Sequence, residues 1–207
     1  MGPRVRIPLM EAGAIAGQKV LTGDGRFLKP EEKRLLLTIF GNSINLEPVE
    51  IVATSVGPRG RPYTLGNTIR VPDGSTFDAK TLVHEMTHVW QYQTRGTGYI
   101  SDSVLHQLTS GQDAYVVKLV PGQSFYDYPA EQQAMIVQRY YSDAPPGWKK
   151  DADVVRMMGE IRKARPLSAA EAEKDRWFGP GAVPDNTGSA GDPNRPAQTV
   201  PLIRIEF

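Results

Sequence analysis

Cysteine is absent from the 207 residues. That excludes disulfides, thiolate metal sites and thiol nucleophiles, and it fits either redox compartment. Histidine is scarce, at three residues, so the position of each one is informative. Neither sign of charge dominates: 24 Lys and Arg stand against 23 Asp and Glu, a formal net charge of +1. Without a basic excess there is no electrostatic footprint for nucleic acid, and none is expected as a partner. Long apolar runs are also missing. The opening stretch MGPRVRIPLMEAGAIAGQKV has Arg4 and Arg6, but its apolar run is short, broken and carries Glu11. It reads neither as a signal peptide nor as a membrane span. Arg6 stands where a myristoylation signal would need Ser or Thr. The expectation is a chain made in the cytoplasm with no membrane span; any secretion would use a route independent of a signal peptide.

Glycine (20) and proline (17) are plentiful, and apolar residues make up 40%. The length suits one domain, or one domain with an appendage. Residues 179–198 (GPGAVPDNTGSAGDPNRPAQ) are rich in Gly, Pro and Asn and read as irregular. The expected division is a folded domain over 1–178 and a flexible tail over 179–207, whose last residues (VPLIRIEF) alternate like a terminal strand. Helices are predicted over 31–40, 77–93, 129–141, 151–165 and 168–177. Pro30 and Pro129 mark two of the starts, Asp78 or Ser75 caps another, and Ser168 with Glu171 forms a capping box at the last. Residues 101–109 suit one or two helical turns. Strands are predicted over 49–55, 67–71 and 114–120. If 67–71 lies at a sheet edge, it offers a place for an extended peptide to add as a strand. The loop 57–62 is basic and Gly/Pro-rich, but it lacks the lysine and the following helix of a phosphate loop.

The chemistry concentrates in FDAKTLVHEMTHVWQYQ, residues 77–93, which contains His84-Glu85-Met86-Thr87-His88. On a helix, two histidines four residues apart share one face and can reach one metal ion. Imidazole suits zinc, and Glu85 is placed to take a proton from a metal-bound water. The pattern also arises by chance. Against chance stand the scarcity of histidine and the apolar setting of Leu82, Val83, Met86, Val89 and Trp90, in which charge is costly unless something binds it. A catalytic zinc site needs a third protein ligand. Glu131, opening the apolar helix 129–141, is the best candidate; the alternative is an acid favoured there only by the helix dipole. His106 is a weaker candidate ligand, with a loose spacing from His88. For the donor that stabilises a developing oxyanion, Tyr128 is preferred over Tyr126 and His106, and ordinary packing is the alternative for both tyrosines. Asp127 is a candidate support for a histidine ring nitrogen. The expected reaction is metal-assisted hydrolysis of a peptide bond with Glu85 as general base.

The string HEMTHVWQ, the later EQQA and the preceding NTIRVP together resemble a group of small bacterial zincin-like proteins described as Vgr-related or Rhs-associated. The resemblance covers about residues 67–141. The chain lacks the third histidine of the metzincin extension, since Val89, Trp90, Gln91 and Tyr92 follow His88. The resemblance implies an α+β, zincin-like fold, with a small sheet packed on a metal-bearing helix and a second ligand-bearing helix. It implies zinc held by His84, His88 and Glu131, with Glu85 as base, and it implies type VI secretion as the setting. An effector or toxin would then act on a peptide or protein, such as a peptidoglycan stem peptide, and have a secretion-apparatus component or an immunity protein as partner. Two alternatives stay open. One is a catalytically inactive, zinc-stabilised adaptor or structural cargo of the apparatus. The other is a self-processing enzyme whose own tail enters the cleft.

Overall fold

The structure, a computed structural model, describes residues 25–55, 60–96, 115–168 and 171. Four strands, β1 (Arg26–Phe27), β2 (Glu50–Thr54), β3 (Tyr63–Leu65) and β4 (Thr68–Pro72), form one sheet in the order β1-β2-β4-β3. β1 runs antiparallel to β2, β2 parallel to β4, and β3 antiparallel to β4. β3 and β4 are a hairpin closed by Gly66 and Asn67. Gly66 has φ +62° while Asn67 keeps negative φ, the pattern of a II′ turn, whose twist matches that of the strands it joins.

Among the described residues four helices accompany the sheet: α1 (Pro30–Phe40), α2 (Ala79–Arg95), α3 (Ala130–Ser142) and α4 (Ala152–Lys163). α2 starts where Asp78 accepts hydrogen bonds from the Thr81 amide and hydroxyl, both 2.8 Å. It ends at Gly96, φ +73°. α1 has no basic residue in its last turn, and Arg162 of α4 supplies the charge, donating to the carbonyls of Ile39 and Thr38 at 3.0 Å each. Ile51, Ile69 and Val71 of the sheet join Leu82, Val83, Met86, Val89 and Trp90 of α2, Ile136 and Val137 of α3, and Val154, Met157, Met158 and Ile161 of α4 in one core. Trp90 anchors it, with its indole N–H donating to Ser43 Oγ at 3.0 Å and its ring 5.7 Å from that of Phe125.

The mixed sheet with α2 and α3 beside it is the expected α+β arrangement. The helices expected over 31–40, 77–93, 129–141 and 151–165 are α1 to α4. Two strand readings need correction. The strand over 67–71 is β4, but it lies between β2 and β3, so the edge on that side belongs to β3, which carried no strand signal of its own, and the other edge to β1. Residues 115–120 are not part of the sheet. Val117 and Leu119 turn inward onto the core while Val116 and Val120 are exposed; this one-sided burial gives strand-like alternation with no partner strand. The Ser168–Glu171 capping box is formed, with the Ser168 amide donating to Glu171 at 2.7 Å. The rest of that expected helix, the turns at 101–109 including His106, and the tail from 179 lie outside the described residues. Among the described residues no helix is long and apolar enough to cross a membrane.

Candidate metal centre

α2 is uniform in burial through its middle, from Leu82 to Gln91. Apolar residues account for that on the core side. His84, Glu85, Thr87, His88 and Gln91 are the polar groups drawn in with them, and Thr87 is satisfied within the helix by the Val83 carbonyl. The two imidazoles stand one turn apart with ring centroids 5.0 Å from each other. α3 crosses beside them and delivers Glu131, 1% exposed. Glu131 Oε2 lies 3.3 Å from His84 Nε2, and Glu131 Oε1 lies 3.3 Å from His88 Nε2. One ligand atom from each of the three residues falls within 4.8 Å of the others. Ligand atoms placed at zinc bonding distances around a tetrahedral ion stand about 3.3 Å apart. Both the spacing and the donor set, two imidazole nitrogens and one carboxylate, therefore fit a zinc ion with one coordination position left open.

The electrostatics agree with a site made for a cation. Burial pushes the Glu131 carboxyl up, but the charge of His88 and hydrogen bonds from both imidazoles outweigh it, holding the group well below the usual carboxylate range. Burial opposes charge on His88 as well. The Glu131 and Glu85 carboxylates and a hydrogen bond with Gln91 overcome this, raising His88 to about 9. A buried negative charge that favours a proton on its neighbour equally favours a metal ion in the proton's place.

A polar chain fixes the second histidine. His88 Nδ1–H donates to Gln91 Oε1 at 2.8 Å, which leaves Nε2 as the nitrogen facing Glu131. The Gln91 amide then donates to Gln133 Oε1 at 2.7 Å and to the Ala130 carbonyl at 3.1 Å. Gln133 donates onward to the Tyr128 carbonyl at 2.7 Å. The chain thus ties α2 to the first turn of α3, where Glu131 sits. His84 has no such support among the described residues: its Nδ1 is buried and meets no hydrogen-bond partner there.

Glu85, 5% exposed, points away from this chain towards the sheet edge. Thr64 of β3 donates to Glu85 Oε2 at 2.7 Å. Thr64 faces α2 because it pairs with Ile69, whose side chain is in the core beneath the sheet. On the other side of the cluster, the Tyr115 ring lies 6.1 Å from that of His84. Burial, and then the Glu131 charge, hold the Tyr115 phenol above the ordinary tyrosine range; the Arg61 charge and hydrogen bond act the other way. Tyr115 therefore keeps its O–H at neutral pH.

The structure brings together His84, His88 and Glu131, with Glu85 beside them. Tyr128 is placed differently. Its ring is 5% exposed in the core and its hydroxyl accepts from the Val120 amide at 2.9 Å; no described contact joins that hydroxyl to the cluster. Asp127 is exposed and accepts from the Ser124 amide at 3.3 Å, capping its own short turn rather than a histidine. Thr64, Gln91, Gln133 and Tyr115 were missed in the sequence. Gln91 had a findable signal: it is three residues beyond His88 on the same helical face.

No family profile matches the chain. It is 32% identical over 147 residues to the type VI secretion system spike protein VgrG2b of Pseudomonas aeruginosa, a match that covers 62% of this chain and 14% of that protein. The chain thus spans about a seventh of that relative's length. Among solved structures it is similar to the effector domain of Pseudomonas aeruginosa VgrG2b, at 27% identity and a TM-score of 0.51, over 67% of this chain and 84% of that one. Homology to that effector domain is supported by sequence and by fold together.

Proposed function

We propose that this chain is a zinc-dependent peptidase domain that acts as an effector of a type VI secretion apparatus. The observation that carries the reading is the meeting of His84, His88 and Glu131 from two helices, with a buried carboxylate, Glu85, next to them and held by the sheet edge. The similarity to the VgrG2b effector domain supports the secretion setting. It supports export without a signal peptide and contact with components of the apparatus. A peptide or protein is the substrate class, and a peptidoglycan stem peptide is a specific form of it.

Bound between the two imidazoles and Glu131, zinc would polarise the scissile carbonyl and acidify a water. Glu85 takes the proton of the attacking water and passes it to the leaving amine. Thr64 orients Glu85 by donating to the oxygen that is not receiving the proton. Tyr115, rather than Tyr128, is the side chain beside His84 that can donate to a developing oxyanion. The free edge of β3 offers backbone groups to an extended peptide, which would lie over Glu85 as a further strand.

Glu85→Gln separates this from an inactive, zinc-stabilised adaptor. The variant is expected to keep zinc and its melting temperature while losing hydrolysis of peptide and cell-wall substrates, followed by mass spectrometry. A wild-type protein that binds zinc yet cuts none of them would favour the adaptor.

A further inference from the structure

Arg61 lies at the rim of the cluster, between Gly60, which turns the chain at φ +64°, and the start of β3. Its guanidinium carbon is 5.6 Å from the centre of the Tyr115 ring, and that ring is the one beside His84. Arg61 is exposed and forms no ion pair with any described carboxylate; its described partner is Tyr115, through the ring and through a hydrogen bond donated to the phenol oxygen. Arg26 is paired with Glu32, Arg156 with Glu160 and Arg162 with two backbone carbonyls; Arg70 and Arg139 also lie over aromatic rings, those of Tyr63 and Trp148, but among the described residues Arg61 is the arginine over the ring beside His84.

The charges around it define what it can recognise. With a divalent ion bound, two neutral imidazoles, Glu131 and Glu85 would bring the cluster to zero formal charge, and among the described residues no carboxylate would then be left to pair with the Arg61 cation. A guanidinium stacked on an aromatic ring is already oriented, and its planar fork matches the two oxygens of a carboxylate. Arg61 is also two residues ahead of Tyr63, so it stands at one end of the edge on which a peptide would lie. We infer that Arg61 binds a carboxylate of the substrate next to the bond that is cut, so that this site takes acidic peptides in preference to their amides. The inference rests on the peptidase reading for the place of that bond, and on Arg61 alone for the recognition. The carboxylate has two possible sources: an Asp or Glu side chain, or the free end of a chain.

The test uses the full chain, zinc-loaded, with Glu85→Gln to prevent turnover. The probes are fluorescein-labelled hexapeptide pools of random sequence with one fixed central residue, Glu or Gln, each ended as acid or as amide. Binding is read by fluorescence anisotropy. Pools that carry the recognised carboxylate are expected to bind about tenfold more tightly, the value of one well-formed charged contact. Preference for Glu over Gln identifies the side chain; preference for acid over amide identifies the chain end. Arg61→Gln should level the pools and leave the melting temperature unchanged, because the side chain is exposed. Arg61→Lys should restore part of the preference, since it returns charge without the fork. Equal binding of all pools, no binding of any, or a preference that survives Arg61→Gln would overturn the inference. Cleavage of the same pools by the wild type is scored separately. Cleavage without an acidic preference removes Arg61 recognition and keeps the peptidase. Arg61-dependent binding without cleavage does the reverse.

Discussion

Replacing Gln91 with Met keeps the length of the side chain and deletes its amide. The residue is fully buried and makes three hydrogen bonds, to His88 at 2.8 Å, Gln133 at 2.7 Å and Ala130 at 3.1 Å. Ala130 is in the first turn of α3, where its carbonyl also serves the helix, so its loss is small. His88 Nδ1–H and Gln133 Oε1 are left buried without this partner, at about 1–3 kcal/mol each. The expected loss is therefore about 2–6 kcal/mol, a large part of the roughly 5–15 kcal/mol that holds a domain together. Zinc affinity should fall by about 10–100-fold, because the ring that presents Nε2 to the metal is no longer oriented. Competition with a chromophoric chelator measures the affinity, and melting in zinc excess and in chelator confirms that the variant is folded where the affinity is read. Gln133→Met, one bond further out, should lose stability and much less zinc affinity. A folded Gln91→Met protein whose zinc dissociation constant is within about twofold of the parent would refute the claim that this chain orients His88.

Thr64→Val should lower kcat/KM for peptide hydrolysis by about tenfold with zinc affinity unchanged, the cost of one hydrogen bond to a carboxylate, and Thr64→Ser should recover it. Glu131→Gln removes the charge buried between the two imidazoles and should weaken zinc binding by about 100-fold or more, read by the same chelator competition. In the metal-free protein His88 is raised to about 9, so zinc arriving at pH 7 must displace a proton. Calorimetry in buffers of different ionisation enthalpy should show about one proton released per zinc at pH 7 and fewer as pH passes 9. The raised value also means that the contribution of His88 to metal-free stability is complete below about 6.5 and is lost as pH rises through about 9.

The His84, His88 and Glu131 cluster could be read from the sequence because its parts are local. His84 and His88 are placed by helical spacing alone, and Glu131 by the proline and apolar pattern that open α3. What could not be read depends on which elements become neighbours. Tyr128 precedes the ligand helix by one residue and looked close, yet a tyrosine at that corner is better buried in the core with its hydroxyl on the Val120 amide. Tyr115, distant in sequence and set in what looked like a strand, is the ring that reaches His84. Proximity along the chain misled because side-chain direction, fixed by burial, decides what reaches the cluster. The same holds for Asp127. An acid beside a metal helix is an obvious support for histidine, but its neighbour Ser124 uses it first, and a neutral glutamine from the helix itself takes the role.

The strand order carries the remaining argument. β3 has three residues, few to declare a strand by composition, and it is fixed mainly by its hairpin to β4. Gly66 sets the turn, the turn sets the pairing Thr64↔Ile69, and that pairing turns the Thr64 hydroxyl down to Glu85. A slip of one residue would present Tyr63 or Leu65 in its place and leave the buried Glu85 oxygen without a donor. The edge strand therefore does two things through one register. Its side chain holds Glu85, and the backbone of Thr64 itself, which faces away from β4 because the flanking pairs Leu65↔Thr68 and Tyr63↔Arg70 are the hydrogen-bonded ones, is what an extended substrate would meet. Arg61 ends the same segment, so the donor to Glu85, the edge and the cation beside Tyr115 are carried by a single stretch of chain that is apart in sequence from His84, His88 and Glu131.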